Sequence, residues 1–209
     1  MGRRSTRSPV GPRPVPPRSA AKRADGLSRT WRRVLLAGLV TGLLPALPSL
    51  ASAESEAQVK AAFLFNFARY VEWPPAAFEG ETATIRLCVI GESEFQQVVS
   101  ETVSGRSVGR RPVVVDKVEG LDAAEACHLL FVDDGVLVPA SAVADRLGGH
   151  AIFTISDQPG FAAGGGVANF ILVDQKIRFE INPSAARRAG LKLSSSLLRL
   201  AKRVGEDGR

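Results

Sequence analysis

Histidine and cysteine, two residue types common in catalytic and metal sites, are scarce in this chain. It has two histidines, His128 and His150, and two cysteines, Cys88 and Cys127, and no metal-ligand spacing relates them. The sequence G-R-S-V-G at Gly105–Gly109 matches G-x-S-x-G, but it lies in the polar connection from a predicted helix to a predicted strand, whereas the nucleophile elbow of a serine hydrolase joins a strand to a helix. The glycine run Gly164–Gly166 fits neither the phosphate loop nor the dinucleotide-binding fingerprint, and a flexible turn is the favoured interpretation. We therefore expect no enzyme activity, no metal and no cofactor.

Apolar runs long enough to cross a membrane are also lacking. The run Val34–Leu47 has 14 residues, too few for a comfortable membrane span. It follows a basic region and precedes Ala51-Ser52-Ala53, which supplies the small residues that a signal peptidase requires. Residues 1–53 are therefore predicted to be a basic leader and secretory signal peptide, cleaved after Ala53, with the mature chain in the periplasm. An uncleaved membrane anchor is the alternative, and Arg32-Arg33 matches a twin-arginine signal only weakly.

The positive charge of the chain is concentrated in its first 53 residues. The whole chain has 27 Lys and Arg against 21 Asp and Glu, a formal charge of +6. Residues 1–53 hold ten of the basic residues and one acid, Asp25, which leaves 17 basic and 20 acidic residues in 54–209. The part expected to fold is therefore mildly acidic, and its charge does not indicate nucleic-acid binding.

Export from the cytoplasm changes the meaning of the two cysteines. Cys88 and Cys127 form the one pair available, so a disulfide has a single connectivity. Such a bond would close a loop of about 40 residues and stabilise the fold by roughly 3–4 kcal/mol. It requires the two Cα atoms to lie within about 7 Å of each other. Two buried free thiols are the alternative.

The stretch Ala151–Asn182 organises the predicted fold. It holds a β-rich run, Ile152–Ile155, and two further strand-like runs, Phe170–Val173 and Ile177–Ile181, with a short polar connection between the last two. Apolar and charged residues alternate in the last run, as in a strand with one wet face. These runs predict a strand that leads into a hairpin at the edge of a sheet.

Strands and helices alternate in the rest of the mature chain. The predicted strands are Thr84–Gly91, Pro112–Val115 and His128–Val132, and the predicted helices are Glu54–Trp73, Glu92–Glu101, Pro139–Leu147 and Pro183–Val204, the last interrupted at Gly190. This alternation predicts an α/β fold, namely a three-layer α/β/α sandwich with a largely parallel sheet and a C-terminal edge hairpin. Residues 54–209 are expected to form one domain.

Two exposed turns supply candidate partner-binding residues. The turn Asp157–Phe161, which contains Gly160, is a candidate because exposed apolar and glycine-rich segments suit interfaces. Arg110, in a basic loop, is a second candidate because arginine is favoured at interfaces, with a solvated loop as the alternative. A different hypothesis is a small-molecule crevice lined by Asp133, Asp157 and the glycine run.

Several motifs in order along the chain resemble the YfiR family of periplasmic proteins. They are F-x-x-x-V-E-W-P at Phe67–Pro74, C-V-I-G at Cys88–Gly91, the T-I-S-D to R-F-E-I-N segment at Thr154–Asn182, and A-G-L-K-L-S-S-S-L-L-R-L-A at Ala189–Ala201. The resemblance covers roughly Ala57–Val204, which is essentially the whole mature chain.

This resemblance implies a non-enzymatic regulator. Proteins similar to YfiR bind the periplasmic domain of an inner-membrane diguanylate cyclase and repress it, which lowers cyclic-di-GMP and biofilm formation. An outer-membrane lipoprotein that sequesters the repressor is a further implied partner.

The resemblance also bears on the cysteines. Cys88 and Cys127 match one disulfide pair of the family in spacing. The segment Ser156–Gly166 has no cysteine where a second pair is expected, so a structural bond is implied rather than a redox switch. Another sensor protein as partner, a homodimer and a periplasmic small-molecule sensor module remain alternatives.

Overall fold

The computed structural model describes residues 55–204. The predicted leader and signal peptide at residues 1–53, with cleavage after Ala53, lie outside the described residues. Within residues 55–204, no helix combines the length and the apolar character needed to cross a membrane.

The described chain alternates short helices with short strands. The helices are α1 (Glu56–Tyr70), α2 (Ser93–Val103), α3 (Ala140–Leu147), α4 (Pro183–Arg188) and α5 (Ser195–Leu200), with 3-10 turns at Pro75–Ala77 and Asp122–Ala126. The strands are β1 (Val71–Glu72), β2 (Ile85–Ile90), β3 (Ser107–Val108), β4 (Arg111–Lys117), β5 (Leu129–Val132), β6 (Phe153–Ser156), β7 (Ala168–Val173), β8 (Lys176–Ile181), β9 (Lys192–Leu193) and β10 (Lys202–Arg203).

An eight-stranded sheet in the order β10-β8-β7-β6-β5-β2-β4-β3 forms the middle of the fold. The consecutive pairs β4–β2, β2–β5, β5–β6 and β6–β7 are parallel, and β10 pairs parallel with β8. The pairs β7–β8 and β3–β4 are antiparallel. The predicted, largely parallel α/β sandwich is thereby confirmed, and the predicted hairpin is β7–β8. The hairpin lies near one edge of the sheet, where β10 pairs with the last two residues of β8.

Apolar side chains on the two faces of the sheet form separate cores. Along β5, Phe131 belongs to the core beneath α1 and α2, whereas Leu130 and Val132 belong to the core beneath α3. Successive residues of a strand point to opposite faces, so a short strand that is apolar throughout supplies both cores. The molecule therefore has a helical layer on each side of the sheet.

Aromatic packing fixes α1 on the first core. The Phe67 ring lies 5.2 Å from the Phe153 ring and 5.1 Å from the Phe179 ring, and it is fully buried. Phe63, one turn earlier, contacts Phe170 and Phe179 of the hairpin. Ring pairs at these distances contribute about 0.5–1.5 kcal/mol each beyond the area that they bury. The same helix face therefore holds the parallel strands and the hairpin together.

Helix α1 is shorter than predicted at its C-terminal end. It ends at Tyr70 rather than Trp73, because Val71 and Glu72 form β1 and pair antiparallel with β9. The prolines at 74 and 75 explain the difference, since a residue before proline is displaced from helical to extended backbone.

The C-terminal segment differs from the long helix predicted for Pro183–Val204. Two six-residue helices, α4 and α5, are separated by β9, and β10 follows them. Gly190 has a φ of 69°, a left-handed conformation that ends the first helix. Asn182 and Ser194 each accept a hydrogen bond from a backbone N–H three residues later and so start separate helices.

A disulfide between Cys88 and Cys127 spans the second core. The two Cα atoms are 6.0 Å apart and the residues are separated by 39 positions. Cys88 lies in β2, and Cys127 lies two residues before the start of β5, which pairs with β2. Parallel pairing of these neighbouring strands brings together two residues that are distant in sequence.

We predict that removing this bond destabilises the fold by roughly 3–4 kcal/mol, because the unfolded chain gains the entropy of an open loop. The test is urea unfolding of the Cys88→Ala/Cys127→Ala double variant beside the oxidised wild type. Reduced wild type is the matched control and should lose a similar amount. Unchanged unfolding midpoints in both samples would show that the bond does not constrain the unfolded chain.

Candidate functional site at the carboxyl edge

Strands β2, β5 and β6 are parallel neighbours, so their C-terminal ends meet along one side of the sheet. We call this side the carboxyl edge. The residues that follow these strands directly are Gly91, Asp133 and Asp157. Open α/β sheets bind ligands at this position, because loops and helix ends leave crevices there. The carboxyl edge is therefore the candidate functional site.

An ion pair links the carboxyl edge to the first turns of α1. Lys60 Nζ lies 2.7 Å from Asp157 Oδ2 and 2.7 Å from a carboxylate oxygen of Glu56, one turn earlier on the helix. The side chains of Lys60 and Asp157 are only 14% and 13% exposed. Because this pair is largely shielded from water, it is screened less than an ordinary surface pair. It fixes the start of α1 against the end of β6.

The surroundings of this ion pair raise the pKa values of both its members. Burial raises the pKa of Asp157 above its ordinary value and outweighs the opposing effect of Lys60, and the charge of Asp134 raises that pKa further. Burial by itself would lower the pKa of Lys60, but its bonds to Asp157 and Glu56 outweigh this and raise the pKa. One oxygen of this carboxylate, Asp157 Oδ1, is buried without a hydrogen-bond partner among the described residues.

A cleft of about 130 Å³ opens beside this ion pair. One wall is ionic, with Glu56, Lys60, Asp134 and Asp157, and the other is apolar, with Phe170, Ile171, Leu172 and Ile177 of the β7–β8 hairpin. Leu172 is 64% exposed, and its neighbour Val173 is 43% exposed. We call this space the hairpin cleft.

The turn after Asp157 is packed rather than open. Phe161 is 1% exposed, so the expectation that it offers an exposed apolar contact is wrong. A side chain at Gly166 would overlap the Phe161 ring, and the absence of that side chain makes room for the ring. Gly160, with a φ of 77°, is exposed and remains available for contact.

The glycine run Gly164–Gly166 packs against its surroundings. Beyond the Phe161 contact, Gly164 approaches Ala140 and Gly165 approaches Ala144, so that the loop lies close to α3. The run therefore serves close packing, and the interpretation as a flexible turn is replaced by a packed one.

Buried amide groups hold this turn in place. Asn169 Nδ2 donates to the carbonyl oxygens of Ser156 and Gln158, and Gln158 Nε2 donates to those of Asp133 and Val136. Asn169 is fully buried, and its Oδ1 atom has no hydrogen-bond partner among the described residues. These bonds connect the ends of β5 and β6 to the start of β7.

The fourth predicted contact residue, Arg110, lies elsewhere. It precedes β4, whereas Asp157 follows β6, and parallel strands place these positions at opposite edges of the sheet. Arg110 forms a 2.6 Å ion pair with Glu81, and both side chains are largely exposed. The structure therefore brings Asp157 and Gly160 to one edge and does not bring Arg110 to them.

A second, larger cleft of about 360 Å³ lies at the ends of β2 and β5. It includes Gly91, Glu92, Lys117 and Asp133. Asp133 Oδ1 accepts a hydrogen bond from the backbone N–H of Gly135, which orients this carboxylate along its own turn. Within residues 55–204, no group of three His, Cys, Asp or Glu side chains is placed to hold a metal ion.

The opposite edge of the sheet has a buried histidine whose role the sequence did not indicate. His128 Nδ1 accepts a hydrogen bond from the backbone N–H of Arg86, and Nε2 lies 3.0 Å from the carbonyl oxygen of Ala77. The ring stacks on Phe78 with a centroid distance of 4.5 Å. Burial lowers the pKa of His128, and the charges of Arg111 and Arg86 lower it further, although the bond to Ala77 opposes them. The geometry therefore requires a neutral ring with its proton on Nε2.

Comparison with known proteins supports a family and a fold. A family model described as YfiR/HmsC-like matches residues 57–202. Among solved structures, a conserved domain protein from Vibrio cholerae O1 biovar El Tor is similar, with a TM-score of 0.50 and 8% sequence identity. The match covers 72% of this chain but only 60% of the Vibrio chain, so this chain spans less than two thirds of that protein. At this identity the likeness shows the fold alone.

We predict that Gly166→Ala destabilises the fold by roughly 1–3 kcal/mol, because the added methyl group overlaps the buried Phe161 ring. Urea unfolding measures the effect. Gly120→Ala is the matched control, since nothing lies within 4 Å of a side-chain carbon at that position. Equal stabilities of the two variants would contradict the packing role of Gly166.

We predict that acid weakens the fold through His128. Its lowered pKa means that the folded protein favours the neutral ring, so this contribution is present above the ordinary value of 6.5 and is lost as pH falls through the folded pKa. The free energy of unfolding should therefore drop between pH 7.5 and 5, and the drop should be smaller in His128→Gln.

His150→Gln is the control that reports the contribution of the other histidine. An identical pH dependence in wild type and His128→Gln would show that His128 is not the group responsible.

Proposed function

This chain belongs to the YfiR/HmsC-like family of periplasmic regulators, and on that premise we propose that it binds the periplasmic sensor domain of an inner-membrane diguanylate cyclase and represses the enzyme. The consequence would be a lower level of cyclic-di-GMP and less biofilm. The family match over residues 57–202 carries this proposal, because it includes nearly the whole described fold. Removal of residues 1–53 in the periplasm, with the remainder as a single domain, is part of the proposal.

The carboxyl edge is the surface that we assign to the partner. Exposed apolar side chains at the hairpin tip, Leu172 and Val173, lose contact with water when a partner covers them. Asp157 and Gly160 lie at the same edge, so both are retained as candidate contacts. Arg110 would be reached only by a partner that extends around to the opposite edge.

Repression by binding requires no catalytic group from this chain, and the polar groups described above have structural roles. The histidine, the disulfide and the buried amides described above have structural hydrogen bonds or covalent partners. An outer-membrane lipoprotein that takes up the repressor would release the cyclase, since one surface cannot serve two partners at once.

The larger cleft at the ends of β2 and β5 favours a second candidate, a periplasmic small-molecule sensor. Its volume of about 360 Å³ falls within the roughly 300–1,000 Å³ of ligand pockets, and it lies at a preferred ligand position of α/β sheets. Two observations together would favour this candidate. The first is a metabolite that stabilises the purified protein against heat, and the second is the absence of a cyclase partner in the cell.

We predict that a deletion strain has raised cyclic-di-GMP and that the tagged wild-type chain captures a diguanylate cyclase from its membranes. Plasmid-borne wild type should return cyclic-di-GMP to the parental level. A plasmid version without residues 1–53 is the matched control, since it places the same fold in the cytoplasm and should not restore repression. Unchanged cyclic-di-GMP and no captured cyclase would overturn the proposed function.

A further inference from the structure

We propose that the hairpin cleft receives a basic side chain, a lysine or an arginine, presented by the sensor domain of the partner. This inference rests on the proposed function and specifies the chemistry of its contact. Charge, an unpartnered oxygen atom and the shape of the cleft support it.

The first argument is charge. Three carboxylates, Glu56, Asp134 and Asp157, face one ammonium group, Lys60, so the cleft has a formal charge of −2. Lys60 already divides its charge between Glu56 and Asp157. Asp134 is exposed and has no ion-pair partner among the described residues. A positively charged group therefore complements this wall.

The second argument is the unpartnered oxygen. Asp157 Oδ1 is shielded from solvent and accepts no hydrogen bond from residues 55–204. Burial of an acceptor without a donor costs about 1–3 kcal/mol, and more when the acceptor is charged. A cationic donor in the cleft would supply this bond and offset the burial that raises the pKa of Asp157.

The third argument is the apolar wall. Leu172 and Ile177, a cross-strand pair of the hairpin, line the cleft together with the carboxylates, and Leu172 is 64% exposed. Lysine and arginine bury their methylene chains on apolar surface while their charged ends reach polar groups. A bare cation would leave this wall uncovered, whereas a side chain with an apolar stem contacts both walls.

The small size of the cleft favours a single side chain as its occupant. The cleft has a volume of about 130 Å³, well below the roughly 300–1,000 Å³ of pockets that enclose cofactors and metabolites. One long side chain fits this space. The remainder of a partner domain would then lie over the exposed hairpin tip.

The first test needs no partner and uses three small probes with the 15N-labelled chain purified from the periplasm. The probes are pentylammonium, which has a stem and a charge, pentanol, which has the stem alone, and ammonium, which has the charge alone. Pentylammonium should shift the amide signals of Asp157, Leu172 and Ile177, and Asp134→Lys should abolish the shifts. Equal shifts with pentanol or with ammonium, or no shifts with pentylammonium, would overturn the inference.

The second test uses the periplasmic domain of the cyclase captured with wild type. Asp134→Lys should weaken the complex at least tenfold, because a cation then faces a cation, and Leu172→Ser should weaken it as well. Asp145→Lys, an equal charge reversal at an exposed residue of α3, and Leu200→Ser, at an exposed leucine of α5, are the matched controls and should bind as wild type.

The results separate the two proposals. A stable wild-type complex that Asp134→Lys leaves unchanged would overturn the cleft inference and leave the proposed function intact. If wild type captures no cyclase, the proposed function fails and the probe titration decides the chemistry of the cleft by itself.

Discussion

Parallel hydrogen bonding of β2 between β4 and β5 is the constraint on which the rest of this structure depends. Parallel strands put all their C-terminal ends on one side, so Gly91, Asp133 and Asp157 share an edge although they are far apart in sequence. The same pairing brings Cys88 beside Cys127, within reach of a disulfide. Site and covalent link are thus two consequences of one strand arrangement.

Helix α1 packs against both the parallel strands and the hairpin, and it thereby forms one side of the hairpin cleft. It contacts the parallel strands through Phe67 and the hairpin through Phe63, so its first turns lie beside both. Lys60 consequently faces Asp157 across 97 positions of sequence. The hairpin cleft exists because one rigid helix places an ionic wall opposite the exposed end of a hairpin.

Features carried by local patterns were predictable from the sequence, and features set by long-range contacts were not. The apolar runs gave the central strands, since a strand covered on both faces is apolar throughout. Burial of Phe161 was missed because it depends on the missing side chain of Gly166, a packing relation without periodicity. Arg110 and Asp157 were both predicted as contacts because each lies in a loop. The sequence pattern of a loop does not indicate at which edge of the sheet the loop lies, and strand direction places these two at opposite edges. The leucine spacing of the C-terminal segment is helical, but the caps at Asn182 and Ser194 divide it into pieces.

Acid acts differently on the two edges of the sheet. At the edge opposite the carboxyl edge, protonation of His128 is opposed by burial and by the charges of two arginines, so acid lowers the stability of the fold there. At the carboxyl edge the sign is reversed. The pKa of Asp157 is raised in the folded protein, so proton uptake by this carboxyl favours the fold as pH falls through the folded pKa, and the contribution is complete below the ordinary value of 3.8. Protonation nevertheless removes the charge that a cationic partner would recognise. Binding at the hairpin cleft and stability of the fold therefore depend on different titrating groups, and loss of binding in acid need not accompany unfolding.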